Sequence, residues 1–214
     1  MSRPTAKNSS LSGRKRPVNF WQGLKEIDMF FQGRDPVHKT MRRAAKRLEK
    51  ANIPYAVVGG MAVFAQGYRR TTNDVDVLLT PEGFAEFCRR FVPKDYEKLP
   101  KRPRRFKDRT SAINLDILVT GYFPGSGKPG PIAYPDPAGV SETIDNVRVL
   151  DLVTLVQLKL AARRYQDFAD VVNLIRFNGL DESFARRLHP SVHSDYTECL
   201  EEKRREDEYE AREE

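Results

Sequence analysis

Apolar and polar positions along the chain alternate between two periods. Residues Phe20, Leu24, Ile27, Met29, Phe30 and Phe31 suit a short helix. Asp35 then reads as an N-cap with Pro36 at the first helical position, and Val37, Met41, Ala44, Ala45, Leu48 and Ala51 recur at helical spacing until Pro54 ends the run. "YAVV" at Tyr55 to Val58 predicts a short buried strand entering a Gly59-Gly60 turn, and "MAVFAQG" predicts a short helix ending at Gly67. "DVDVLLT" predicts a second strand, Thr80-Pro81 caps a helix carrying Phe84, Phe87, Cys88 and Phe91, and "AINLDILVT" (Ala112 to Thr120) predicts a third strand. A Gly/Pro loop, a last strand "VRVL", and helices over Leu152 to Arg163, about Gln166 to Phe177 and the charged tail from Thr197 complete the order. This order predicts an α/β (α+β) fold, with a small mixed β-sheet flanked by helices and a helical C-terminal part. The expected organisation is a disordered basic tail over 1–18, a core over 19–150, and a helical region over 151–214 that completes the same domain.

Within the strands, side chains two apart share a face. Asp74, Asp76 and Leu78 therefore point one way, and Val75, Val77 and Leu79 the other. The same division separates Asn114, Asp116 and Leu118 from Ile113, Leu115, Ile117 and Val119. If the two strands are neighbours, three carboxylates converge. Like charges at close range stay ionised only with cations among them. Oxygen donors of this kind suit Mg²⁺ or Mn²⁺ shared with substrate phosphates. The bland alternative is that Asp74 caps a turn and Asp76 pairs with an arginine. Gly59-Gly60 permits close backbone approach to a ligand, and the helix start behind it offers N–H groups to phosphate.

Charge sharpens this picture. The 214-residue chain has a net charge of +7, which suits an anionic partner such as a nucleotide or nucleic acid. Residues 89–109 hold ten lysines and arginines against Asp95, Glu97 and Asp108. A basic helix face with Lys39, Arg42, Arg43, Lys46, Arg47 and Lys50, and the "GRKR" at Gly13 to Arg16, read either as RNA contacts or as solvated surface. Cys88 and Cys199 support neither a disulfide framework nor a zinc spacing, and His189 and His193 flank Pro190 without further ligands. No apolar run reaches the ~18 residues of a membrane helix, and the N-terminus lacks an apolar signal core. The expectation is a cytoplasmic protein with no membrane association. "GSGKPG" fails as a P-loop because Pro129 follows Lys128; it reads as a loop over or beside the site.

Gly59-Gly60, thirteen further residues, and Asp74-Val75-Asp76-Val77 resemble the signature of the polymerase-β-type nucleotidyltransferase superfamily. "YRRTTNDVDVLL" is similar to its Arg-x-Thr-x-Asp-h-Asp subgroup of minimal nucleotidyltransferases and AbiEii-type toxins, with Arg70 and Thr72 in register. The resemblance implies that fold and an NTP substrate. Asp74, Asp76 and Asp116 would be the catalytic and metal-binding carboxylates, and Gly59, Gly60, Arg70 and Thr72 would lie at the nucleotide. "LVQLKLAARRYQDFADVVNLI" is similar to the family's Lys…Arg…Asp-x-x-Asp segment, implying nucleotide-site roles for Lys159, Arg163 or Arg164, Asp167 and Asp170. On one continuous helix Lys159, Arg163, Asp167 and Asp170 share a face; a break near Tyr165 would spoil that alignment. The reverse reading of this segment is a salt-bridged surface. Gln66 departs from relatives that carry His before the glycine. The resemblance leaves open whether the acceptor is RNA (tRNA-like) or protein, and whether an antitoxin is a partner. A non-catalytic nucleotide- or RNA-binding module of the same fold is the alternative.

Overall fold

The computed structural model describes residues 19–213, so the expected basic tail and its "GRKR" lie outside the described residues. Its strands are β1 (Tyr55–Val58), β2 (Asp74–Leu79), β3 (Tyr96–Lys98), β4 (Arg105–Asp108), β5 (Asn114–Val119), β6 (Ser141–Ile144) and β7 (Val147–Leu150). They form one mixed sheet in the order β3-β4-β5-β2-β1-β7-β6. The helices are α1 (Phe20–Phe31), α2 (Pro36–Lys50), α3 (Gly59–Ala65), α4 (Pro81–Phe91), α5 (Leu152–Ala162), α6 (Tyr165–Asn178) and α7 (His193–Glu213).

The predicted caps form. Asp35 accepts from the Val37 and His38 amides, and the Thr80 hydroxyl accepts from the Gly83 amide at 3.0 Å. Asp35 also holds the buried His38 ring at 2.5 Å. The decisive pairing is β2 with β5. These strands run parallel, which requires a crossover, and α4 with the β3–β4 hairpin supplies it. Their inward apolar residues Val75, Val77, Leu115, Ile117 and Val119 are buried, and one apolar cluster extends from Phe30 to Leu200.

Two expectations are corrected. First, the charged segment 89–109 contains β3 and β4, which the sequence reading passed over. Each contributes a single buried aromatic, Tyr96 or Phe106, too little to produce a visible alternation. The largely polar β6 was missed for the same reason. It pairs with β7 through a turn in which Asp145 and Asn146 take φ of 48° and 61°, as a tight hairpin requires. Second, α3 begins at Gly59 rather than after the glycines and ends at Ala65. The helices expected over Leu152 to Arg163 and about Gln166 to Phe177 form as the separate α5 and α6. Arg163 adopts a left-handed conformation, φ 56°, and Arg164 is extended.

Candidate active site

The β2–β5 register sets Asp76 opposite Asp116 and Asp74 opposite Asn114, so the three carboxylates share one patch as the alternation requires. They are not grouped around a common point. Among the described residues no three His, Cys, Asp or Glu side chains converge closely enough to hold a metal ion. The reason is an arginine that the sequence reading did not single out. Arg105, the cross-strand partner of Asp116, grips that carboxylate with both Nε and Nη2 at 2.5 Å and reaches Asp74 at 3.4 Å. Among the described residues Asp76 receives no such partner. Burial, with Asp74 and Asp116 nearby, pushes its carboxyl up to about 7.

The two glycines fit around these groups. Gly59 has φ +62°, and a Cβ there would fall 1.9 Å from the Asp76 Oδ2. Only glycine lets the backbone approach this carboxylate so closely. A Cβ on Gly60 would meet the Thr72 side chain at 2.8 Å and Arg70 Nη1 at 3.2 Å. Thr72 in turn donates from Oγ1 to Asp74 at 3.0 Å. The Arg-x-Thr-x-Asp spacing thus acquires a local meaning: residue 72 braces residue 74, while Arg70 leaves for a second cluster.

That cluster forms across the helix break. Lys159 donates to Asp167 at 3.1 Å and to Asp170 at 2.6 Å. Arg70 donates to Asp170 at 2.8 Å, and Arg164 to Asp167 at 2.5 Å. Lys159, Asp167 and Asp170 are buried, and the cations around Asp170 hold its carboxyl below its usual value although burial opposes them. The break does not scatter the lysine and the two aspartates. It does separate the arginines: Arg164 faces the cluster, whereas Arg163 turns away to pair with Asp195 at 2.6 Å.

Both clusters open onto a cavity of about 800 Å³, within the range of small-molecule sites. Gly59, Gly60, Arg70, Thr72, Asp74, Asp76, Asp116, Lys159 and Asp167 all line it; Asp170 stands behind, fully buried. The basic turn between β3 and β4 forms one wall with Lys101, Arg102 and Arg104, and Arg104 lies 4.2 Å over the exposed Tyr122 ring. Seven cationic side chains line the space against four carboxylates. Tyr134, another lining residue not foreseen, has its phenol pushed up to about 12 by burial and by Asp76. The loop bearing it closes against α5, where Gly125, φ +66°, would bring a Cβ within 2.4 Å of the Ala162 carbonyl oxygen.

Other sequence candidates lie elsewhere. Lys128 borders a separate cavity of about 150 Å³. On α2, Arg43 binds the buried Asp108 at 2.9 Å and Arg47 binds Asp95 at 2.6 Å, so two of the three arginines on that basic face anchor the β3–β4 hairpin instead. Gln66 ties Glu142 and the Leu150 carbonyl at 2.6 and 3.0 Å, bracing β6 and β7 away from the carboxylates. No helix among the described residues is long and apolar enough to cross a membrane.

No protein-family model matches the chain, and no curated protein matches it. Among solved structures it is similar to an antigenic nucleotidyltransferase-like protein from Paracoccidioides brasiliensis, with 16% identity, 64% of this chain and 74% of that one covered, and a TM-score of 0.42. It is similar to TM1012 from Thermotoga maritima, a candidate nucleotidyltransferase, at 18% identity, with 64% and 91% covered and a TM-score of 0.44. It also overlaps ANT(2″)-Ia in complex with adenylyl-2″-tobramycin at 14% identity, with 83% and 89% covered and a TM-score of 0.35. With these overlaps below a TM-score of 0.5, the functional reading rests on the site's own geometry.

Proposed function

We propose that this chain is a nucleotidyltransferase of the polymerase-β-type fold, dependent on Mg²⁺ or Mn²⁺, that transfers a nucleoside monophosphate from an NTP to a hydroxyl acceptor and releases pyrophosphate. The observation that carries this reading is the in-register parallel pairing of β2 with β5 at the base of a cationic cavity, with Gly59 against Asp76. The donor chemistry fits a hard divalent cation: all donors are carboxylate oxygens, and among the described residues Asp76 lacks a direct counter-ion, as its raised pKa reflects. Asp74, Asp76 and Asp116 would hold it, and a bound cation supplies charge neutralisation and Lewis acidity at the phosphate undergoing substitution. Asp116 accepts the proton of the acceptor hydroxyl at its Oδ atoms once Arg105 lets go. Arg70, Lys159 and Arg164 provide positive charge toward the triphosphate, while the α3 N-terminus at Gly59 and Gly60 brings backbone N–H groups to it.

The acceptor is anionic or presented by a macromolecule, RNA (tRNA-like) or protein, since the cavity wall bears Lys101, Arg102 and Arg104. A cationic antibiotic would meet repulsion there. The test is transfer of label from each α-labelled NTP, with Mg²⁺, to total RNA and to protein. Activity that persists unchanged in Asp74→Ala, Asp76→Ala and Asp116→Ala contradicts the assignment. The Arg105–Asp116 pair favours a second reading, a nucleotide- or RNA-binding module without turnover. A binder takes up NTP calorimetrically and releases no pyrophosphate. A toxin role with an antitoxin partner would be tested by growth arrest on expression, relieved in Asp76→Ala and by a co-expressed neighbouring gene.

A further inference from the structure

We propose that Arg105 is a built-in counter-cation that holds Asp116 and Asp74 in the absence of divalent metal, so that metal binding requires its displacement and becomes coupled to nucleotide binding. This rests on the metal-dependent reading above and goes beyond it, because that reading requires Arg105 to release Asp116 but says nothing of what its release couples.

The geometry is that of a fork on a carboxylate. Nε and Nη2 engage the two different Asp116 oxygens at 2.5 Å each, the strongest arrangement open to this pair. Both oxygens are therefore directed at the guanidinium rather than at a point shared with Asp76. The third contact, 3.4 Å to Asp74, extends the same cation to a second carboxylate. Register makes the contact specific: Arg105 and Asp116 are direct cross-strand partners between β4 and β5. Neighbouring cations do not duplicate it, since Arg104 is drawn over Tyr122.

Displacement is feasible for this arginine in a way it is not for Lys159. Its side chain remains 26% exposed and borders the cavity, whereas Lys159 is enclosed at 6%. An incoming triphosphate offers the released guanidinium a new anion. Metal alone must displace Arg105 without that compensation; metal with nucleotide need not. The two ligands therefore bind cooperatively, and the arginine is the source of the coupling.

Titration calorimetry with Mn²⁺ alone tests this on the full chain. Arg105→Ala should bind Mn²⁺ about tenfold more tightly than the unaltered protein, equivalent to about 1.4 kcal/mol, with Arg105→Lys between the two. A non-hydrolysable NTP should raise Mn²⁺ affinity strongly in the unaltered protein and much less in Arg105→Ala. Should Arg105→Ala not fold, Arg105→Lys and Arg105→Met carry the same comparison. Equal or weaker Mn²⁺ affinity in the arginine variants, with binding abolished in Asp74→Ala, overturns the counter-cation alone. Mn²⁺ binding that survives Asp74→Ala and Asp116→Ala, or that occurs in no variant, overturns the metal-site reading and this inference with it.

Discussion

Replacing Gly59 by alanine should be disproportionately damaging, and the excess should depend on Asp76. Two costs are separable. Gly59 has φ +62°, and a Cβ in left-handed backbone costs about 1–2 kcal/mol. The new methyl would also lie 1.9 Å from Asp76 Oδ2 and 2.8 Å from its carboxyl carbon, so the carboxylate must leave its rotamer, adding about 0.5–1.5 kcal/mol. The total of about 2–3 kcal/mol corresponds to a fall in Tm of about 4–12 °C for a chain of this size. Gly179 is the internal control: its φ is +59° and a Cβ there meets nothing within 4 Å. Gly179→Ala should incur the backbone cost alone. Urea unfolding of Gly59→Ala, Asp76→Ala and the double variant closes a cycle. The coupling should be about 1 kcal/mol, beyond the ~0.5 kcal/mol scatter of independent sites. Strict additivity would show that Gly59 does not cradle the Asp76 carboxylate. Equal costs for Gly59→Ala and Gly179→Ala would say the same.

Lys159→Met should cost about 3–5 kcal/mol in urea unfolding, because it strips a buried cation from Asp167 and Asp170; a loss under about 1 kcal/mol would mean that Arg70 and Arg164 suffice. Asp76 has a folded value near 7 against an unfolded value of about 4. The folded state thus binds the extra proton, and without metal the stability should fall as pH rises from about 4 through 7. Asp76→Asn should flatten that slope in Tm measured against pH, and an unchanged slope would refute the assignment to Asp76. Arg164→Ala should weaken NTP binding by about tenfold or more, as expected for losing a charge-assisted contact. Arg163→Ala should leave binding unchanged in the same titration, since Arg163 pairs with Asp195 instead.

How far the sequence foretold this site depended on where its information lay. Period-two alternation put Asp74, Asp76 and Asp116 on defined faces, and the caps at Asp35 and Thr80 placed two helices correctly. These signals are local, and burial enforces them. Arg105 was invisible because it sits among ten cationic residues in 89–109. Its strand has only one buried aromatic, so neither period nor composition distinguishes it from Arg104 or Lys107. Only the β4–β5 register singles it out. The choice between Arg163 and Arg164 was undecidable for a related reason. It turns on a left-handed residue at 163, and an arginine there carries none of the glycine signal that usually marks such a helix end. The second cluster would share one face only on a continuous helix; across the break, the chain builds it instead by folding α6 back against α5.

The two charge clusters are compensated in different ways, and the difference bears on which one does chemistry. Around Asp167 and Asp170 stand Lys159, Arg70 and Arg164, three cations for two carboxylates, all at hydrogen-bonding distance. Such a group leaves neither carboxylate uncompensated. Its buried carboxylates make it a rigid support, with a surplus positive charge directed at the cavity. Around Asp74, Asp76 and Asp116 Arg105 is the only cation among the described residues that forms an ion pair; Lys159 and Arg164 act on Asp76 from farther away without offsetting its burial, so the patch is short of positive charge and Asp76 shows the deficit as a raised proton affinity. A fold that needed these carboxylates only for structure would gain by neutralising them, as it does 167 and 170. Retaining the deficit, beside a glycine that no other residue could replace without collision, makes sense if an exogenous cation completes the patch and the surplus on the facing cluster receives the anion that accompanies it.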